Sequence, residues 1–194
     1  MIAGVHAGDA LIIVDVQQDF LPGGALAVPG GDAVIPVLNR GAMTFDRYGL
    51  PVFATRDWHP SNHCSFSAQG GPWPPHCVAG TPGAEMPAML ALPESAQVIS
   101  KATTPDKDAY SGFQDTDLAL RLRERGCARV FIGGLATDYC VRATALDALR
   151  AGFQVVVLED AIRAVELQPG DGARALADMT AQGARVTRLQ ELIA

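Results

Sequence analysis

The sequence is poor in positive charge: 15 Lys and Arg stand against 21 Asp and Glu, for a formal net charge of −6. Such a chain lacks the basic footprint that nucleic acids and anionic membranes require, so neither is expected as a partner. It also lacks any apolar run approaching the length of a membrane span. No basic segment precedes the first apolar stretch, and Asp15 interrupts that stretch, so no secretory signal is expected. Cysteine is sparse, and Cys64, Cys77, Cys127 and Cys140 contain no C-x-x-C pair. An even count permits two disulfides, but a chain of 194 residues, 48% of them hydrophobic, can build a core without them. The four are expected as reduced thiols in a cytoplasmic protein. One domain over residues 1–194 is the simplest organisation.

What is present is a repeating alternation. Apolar, often β-branched runs recur at Ala10–Val14, Val52–Thr55, Gln97–Ser100, Arg129–Ile132, Gln154–Leu158 and Arg185–Thr187. Several are apolar on both faces, as strands covered by helices on both sides are. Helical patterns fill most intervals, over Asp32–Tyr48, Asp115–Arg125 and Asp138–Arg150; in the first, Val34, Leu38, Gly41 and Phe45 share one stripe. Gly49, Gly126, Gly152 and Gly183 each close a helical pattern shortly before a strand, where a left-handed residue ends a helix. This punctuation predicts an α/β fold with three layers, α/β/α, around a mainly parallel sheet of roughly six strands.

Ligands of such sheets bind at the carboxyl ends of the strands. Asp15 follows the first strand, Lys101 follows Gln97–Ser100, and Cys140 lies just beyond Arg129–Ile132. Cys140 is expected in the first turn of a helix, after a tight turn at Gly133-Gly134. Unpaired N–H groups and the helix dipole there favour a thiolate. Taken singly, Cys140 reads equally well as a small buried hydrophobe, Asp15 as a cap and Lys101 as a solvated strand end. Together, a carboxylate, an ammonium and a thiol at three strand ends suit an activated nucleophile with a base and a charge stabiliser. Backbone N–H groups around Ala136 and Cys140 are placed to form an oxyanion hole.

One segment, about 57–92, has no periodicity and is rich in Pro, Gly, His and Trp. A loop this long inside a compact domain is usually functional. Asp57, His59, His63 and His76 fall within about twenty residues of a chain that has only four histidines. Imidazole and carboxylate together suit a divalent metal ion, Zn, Fe or Mn. Cys64 and Cys77 each follow a histidine, so a closed His/Cys zinc site competes with an open Asp-His-His site. Trp58, Trp73, Phe66 and Phe113 are consistent with core packing, and for Phe113 a ligand contact is an equal alternative.

These segments resemble the nicotinamidase (pyrazinamidase) branch of the isochorismatase-like cysteine hydrolase superfamily. The resemblance runs from Ala10 to about Leu189. It is carried by Ile12–Phe20, Gly23–Val28, Asp57-Trp58-His59-Pro60, Trp73–Ala84, Lys101, Tyr110-Ser111-Gly112-Phe113 and Gly134–Val141. It implies a catalytic triad of Asp15, Lys101 and Cys140, with Ala136 and Cys140 supplying the oxyanion hole. It implies one divalent metal ion held by Asp57, His59 and His76. His63 is assigned a place behind these ligands, with direct ligation as the minority alternative. Phe20, Leu26, Trp73, Tyr110, Leu135 and Ala136 would surround the substrate, and a non-proline cis peptide is implied at Leu135-Ala136. The implied reaction converts nicotinamide to nicotinic acid and ammonia through a thioester, with pyrazinamide as a second substrate. The implied partner is thus a small molecule, and a homo-oligomer is left open. A metal-free hydrolase of the same superfamily acting on a carbamoyl or vinyl-ether substrate is the nearest rival, and a non-catalytic binding module the more distant one.

Overall fold

The computed structural model describes residues 4–192. Six parallel strands, β1 (Asp9–Val14), β2 (Val52–Asp57), β3 (Gln97–Lys101), β4 (Arg129–Leu135), β5 (Gln154–Arg163) and β6 (Arg185–Thr187), form one sheet in the order β3-β2-β1-β4-β5-β6. Five helices flank it: α1 (Ile35–Arg47), α2 (Leu118–Glu124), α3 (Arg142–Arg150), α4 (Asp171–Ala181) and α5 (Leu189–Leu192). Successive strand side chains point to opposite faces, and the core divides accordingly. Leu11 and Ile13 pack with Val34, Leu38 and Phe45 near α1 and with Leu189 of α5. Ala10, Ile12 and Val14 pack with Leu118, Leu122, Ala145 and Met179 of α2, α3 and α4. The three layers and the predominantly parallel sheet read from the sequence are those observed.

Several local expectations shift. Gly49, Gly126, Gly152 and Gly183 all have positive φ, as helix-ending residues before a strand should. The second helical pattern starts late, at Leu118, because Asp115 has φ +55° and cannot belong to a helix. Gly133-Gly134 is not a tight turn, since β4 continues through both residues to Leu135. Glycine is needed there for close approach instead. A Cβ on Gly134, whose φ is +126°, would overlap the Val14 backbone, and one on Gly133 would lie 2.9 Å from Leu38 Cδ2. A register shift between Ile132 and Gly134 accompanies this crowding and marks a bulge.

The strand order reverses between β1 and β4, which makes the crevice above their carboxyl ends the topological switch point. Asp15 leaves β1 on one side of that crevice, and the segment bearing Cys140 leaves β4 on the other. The peptide Leu135-Ala136 between them is cis.

Candidate active site and metal centre

Lys101 organises the crevice. As the last residue of β3 it pairs with Asp57, the last residue of β2. It is 1% exposed, not a solvated strand end. Its Nζ donates to Asp57 Oδ1 (2.5 Å) and to the Ala109 carbonyl (2.9 Å), and lies 3.6 Å from Cys140 Sγ. An ammonium has three donors, and these contacts use all three. Asp15 Oδ2 is only 3.0 Å from the same nitrogen, but it has no aligned hydrogen bond. The other oxygen, Asp15 Oδ1, accepts from Thr55 Oγ1 at 2.6 Å. Asp15 Oδ2 therefore meets the ammonium as an ion pair without an aligned hydrogen bond. Its backbone has φ +49°, a left-handed conformation that is uncommon outside glycine and clusters at functional sites.

Cys140 lies in a five-residue π-helical turn, Thr137–Val141, that leads directly into α3. Within it the Val141 N–H donates to the Ala136 carbonyl at 3.0 Å. The Ala136 N–H has no hydrogen-bond partner among the described residues. Burial pushes the Cys140 thiol well above its ordinary range, against the pull of Lys101. Desolvation of the charged form therefore opposes the thiolate that the helix N-terminus favours. Burial also raises the Asp15 carboxyl, although Lys101 and Thr55 pull it down. Lys101 would lose its proton more easily on burial alone, but Asp15 and Asp57 hold its pKa well above the usual lysine value. Cys140, Asp15 and Lys101, each with a raised pKa, thus share one buried site.

Asp57 links this group to a second one. Its Oδ1 faces Lys101 while Oδ2 lies 3.7 Å from His59 Nε2. Burial opposes its ionisation, but Lys101 and His59 overcome that and keep its carboxyl below the usual carboxylate range. Donor atoms of Asp57, His59 and His76 lie within 4.8 Å of one another, and all three residues are buried. His59 Nδ1 meets the Ala102 carbonyl at 3.3 Å, and His76 Nδ1 meets the Pro74 carbonyl at 2.8 Å. Such outer hydrogen bonds fix the tautomer and leave Nε2 as the ligating nitrogen. Burial lowers the His76 pKa, which favours the neutral imidazole that a metal needs. The donor set fits one divalent ion.

His63 is not in that group. Its Nδ1 bonds Ser65 Oγ (2.7 Å), its Nε2 bonds the Lys107 carbonyl (3.0 Å), and its ring stacks on His59 at 4.1 Å. Neither Cys64 nor Cys77 joins a metal-binding group among the described residues, and all four cysteines are free thiols. The closed His/Cys zinc site therefore does not form. Asp15, Asp57 and Cys140 also cluster within 4.8 Å, but there the Lys101 ammonium is the cation.

A pocket of about 410 Å³, counting its open mouth, joins the two groups. All six residues expected around the substrate (Phe20, Leu26, Trp73, Tyr110, Leu135 and Ala136) line it, with Asp57, His76 and Cys140. Trp73 Nε1 donates to the Tyr110 hydroxyl at 2.9 Å, and Tyr139 packs edge-on to Trp73. Phe113 packs on Phe153 in the core, Phe66 supports the histidine rings, and Trp58 lies under the Arg56 guanidinium. Val28, Tyr139 and Val165 complete the wall and were not anticipated as wall residues.

A family model for the isochorismatase domain matches residues 9–191. The chain belongs to the isochorismatase family. Within that family it is 40% identical over 203 residues to the nicotinamidase of Escherichia coli K12, covering 94% of this chain and 95% of that protein. Among solved structures it is similar to the pyrazinamidase of Pyrococcus horikoshii in complex with zinc. That pair shares 55% identity and a TM-score of 0.90, over 93% of this chain and 99% of the other. A second, PnC1 from L. infantum in complex with nicotinate, is 40% identical with a TM-score of 0.89, over 97% and 96% of the two chains.

Two further residues support this isochorismatase site. Gln17 is fully buried; its Nε2 donates to the Asp57 and Ala84 carbonyls and its Oε1 accepts the Asp57 N–H. Asp19 accepts the Cys77 N–H at 2.7 Å beside His76 and the Ala25 N–H at 3.2 Å beside Leu26. Both belong to the Asp15–Phe20 segment singled out in the sequence. Only their position in a motif marked them, because each works through distant backbone.

Proposed function

We propose that this protein is a nicotinamidase, an amide hydrolase that converts nicotinamide to nicotinic acid and ammonia and pyrazinamide to pyrazinoic acid. The observation that carries this reading is the Cys140 thiol lining an aromatic pocket that also reaches His76, with the buried Asp15–Lys101 ion pair directly behind it. Similarity to nicotinamidase and pyrazinamidase over nearly the full chain supports the same reading.

Asp15 and Lys101 act on Cys140. As Sγ attacks the carboxamide carbon, its proton passes to Asp15 Oδ2, and the Lys101 ammonium offsets the charge that this moves between two buried groups. The carbonyl oxygen becomes an oxyanion held by the Ala136 and Cys140 N–H groups. Collapse of this adduct breaks the C–N bond, and Asp15 returns its proton to the departing nitrogen, releasing ammonia. Asp15 then takes a proton from the water that attacks the thioester, which regenerates the thiol and frees the carboxylic acid. Phe20, Leu26, Trp73, Tyr110 and Leu135 pack around the flat ring and orient its carboxamide toward Cys140. Asp57, His59 and His76 would hold one divalent ion, Zn, Fe or Mn, which would supply an electrophilic contact for a ring nitrogen; His63, stacked on His59, steadies that ring from behind. We place the protein in the cytoplasm as one domain acting on a small molecule.

Ammonia release from nicotinamide, measured for wild type and Cys140→Ala with and without a chelator, tests this. Wild-type turnover that falls on chelation and vanishes in the variant is expected. Turnover that survives both treatments sinks the reading.

A further inference from the structure

We propose that Asp138 and Val165 form a latch that sets the size limit for the ring of the substrate; this rests on the amide-hydrolase reading above. Asp138 precedes Cys140 by two residues. Its Oδ1 accepts the Val165 N–H at 2.9 Å and its Oδ2 accepts the Glu166 N–H at 3.0 Å. Both amides belong to the segment that joins β5 to α4, just past the last strand residue, Arg163. No sheet hydrogen bond is available to Val165 there, so the Asp138 carboxylate is what fixes its backbone.

Val165 lines the pocket that contains Cys140, and it packs against the core cluster that includes Phe20, Val28 and Leu135. Asp138 does not line that pocket. It is a positioning residue that acts through Val165. The other side of the segment is also tied down. Glu166, at φ +58°, accepts the N–H groups of Gly170 (2.6 Å) and Gly172 (2.9 Å) at the start of α4. A Cβ on Gly172 would lie 2.7 Å from the Ala164 Cβ, so the segment has little room to shift toward α4. The segment is thus clamped from the nucleophile turn on one side and from α4 on the other, with one apolar side chain facing the ring.

A fixed valine wall rejects an added methyl group because neither the wall nor the substrate can yield. One methylene in an apolar pocket is worth about tenfold or more in discrimination. Removing the carboxylate deletes two charge-assisted hydrogen bonds and lets Val165 retreat; neither of those bonds involves Asp15, Lys101 or Cys140.

The test compares kcat/KM for nicotinamide with that for its 4-, 5- and 6-methyl derivatives in wild type, Val165→Ala, Asp138→Ala and the double variant. At least one methyl isomer is expected to gain about tenfold relative to nicotinamide in each single variant. The double variant should gain no more than the larger single effect, because the two residues act as one device. Asp138→Asn, which keeps size and one acceptor, should give a smaller gain, and it reads the same ratio if Asp138→Ala does not fold. A merely structural role for Asp138 would lower activity on every substrate alike and leave the ratio unchanged, which overturns the latch. Multiplicative effects in the double variant overturn it as well. A wild type inactive on nicotinamide overturns the amide-hydrolase reading and the latch with it, whereas an active wild type with unmoved ratios removes the latch alone.

Discussion

At the amino end of the sheet Arg129 faces Asp9, and at the carboxyl end Lys101 lies between Asp15 and Asp57. Both arrangements bury acids beside a base, yet they are finished differently. Asp9 takes Arg129 Nε at 2.7 Å and Nη2 at 2.6 Å on its two oxygens and also caps the His6 N–H. Nothing there is left to react. At the other end Lys101 reaches Asp57, Ala109 and Cys140, and Asp15 Oδ2 shares the same ammonium at 3.0 Å without an aligned hydrogen bond. A planar guanidinium satisfies a carboxylate in a fixed fork, whereas an ammonium divides its donors among several acceptors. A fork that satisfies both carboxylate oxygens makes a structural pair, and one ammonium shared among two acids and a thiol makes a reactive group.

That contrast breaks most visibly at the nucleophile. Cys140→Ala should lower ammonia release by about 10⁴-fold or more, and adding Asp15→Ala should cost little further, because groups that act as a unit are non-additive. An ammonia assay on the two singles and the double checks this. Next in size is Lys101→Met, which leaves Asp15 and Asp57 buried together without the ammonium between them. It should lose about 3–5 kcal/mol of stability in urea denaturation, besides abolishing turnover. Thr55→Val removes the hydroxyl that holds Asp15 Oδ1. It should lower kcat about tenfold to a hundredfold, at or below the lower end of a full general-base contribution of about 10²–10⁴-fold, with KM for nicotinamide little changed. The smallest effect belongs to the amino end, where Arg129→Lys loses the fork but keeps the charge. It should cost about 1 kcal/mol in the same denaturation experiment and leave kcat/KM at the wild-type value. Loss of turnover from that last variant would erase the distinction between the two ends.

The sequence was legible where a residue's own covalent nature dictates its place. Gly49, Gly126, Gly152 and Gly183 announced helix ends because few other residues accept a left-handed backbone there. Strand positions followed from runs of β-branched residues, which is why the layers could be anticipated. Gly133-Gly134 misled because glycine serves a turn and a close approach equally well, and only the neighbouring Val14 and Leu38 decide between them. Gln17 carried no chemical signal of its own. An amide that clamps the Asp57 backbone from 40 residues away becomes meaningful only when β1 and β2 lie side by side. Val165 was equally silent, as one valine among many.

The sequence by itself determined which chemistries were available: an acid, an ammonium and a thiol at three strand ends, and an aspartate with histidines in one irregular loop. It determined the layered parallel fold as well, since periodicity and glycine punctuation are local properties. Only the tertiary structure decided that β1 and β4 are neighbours, that Asp57 serves both the ammonium and the histidines, and that His63 has both ring nitrogens occupied. It also decided that Asp15 and Asp57 share the one Lys101 ammonium. Those outcomes depend on which donors reach which acceptors once water is excluded, a competition among residues distant in sequence that no single segment encodes.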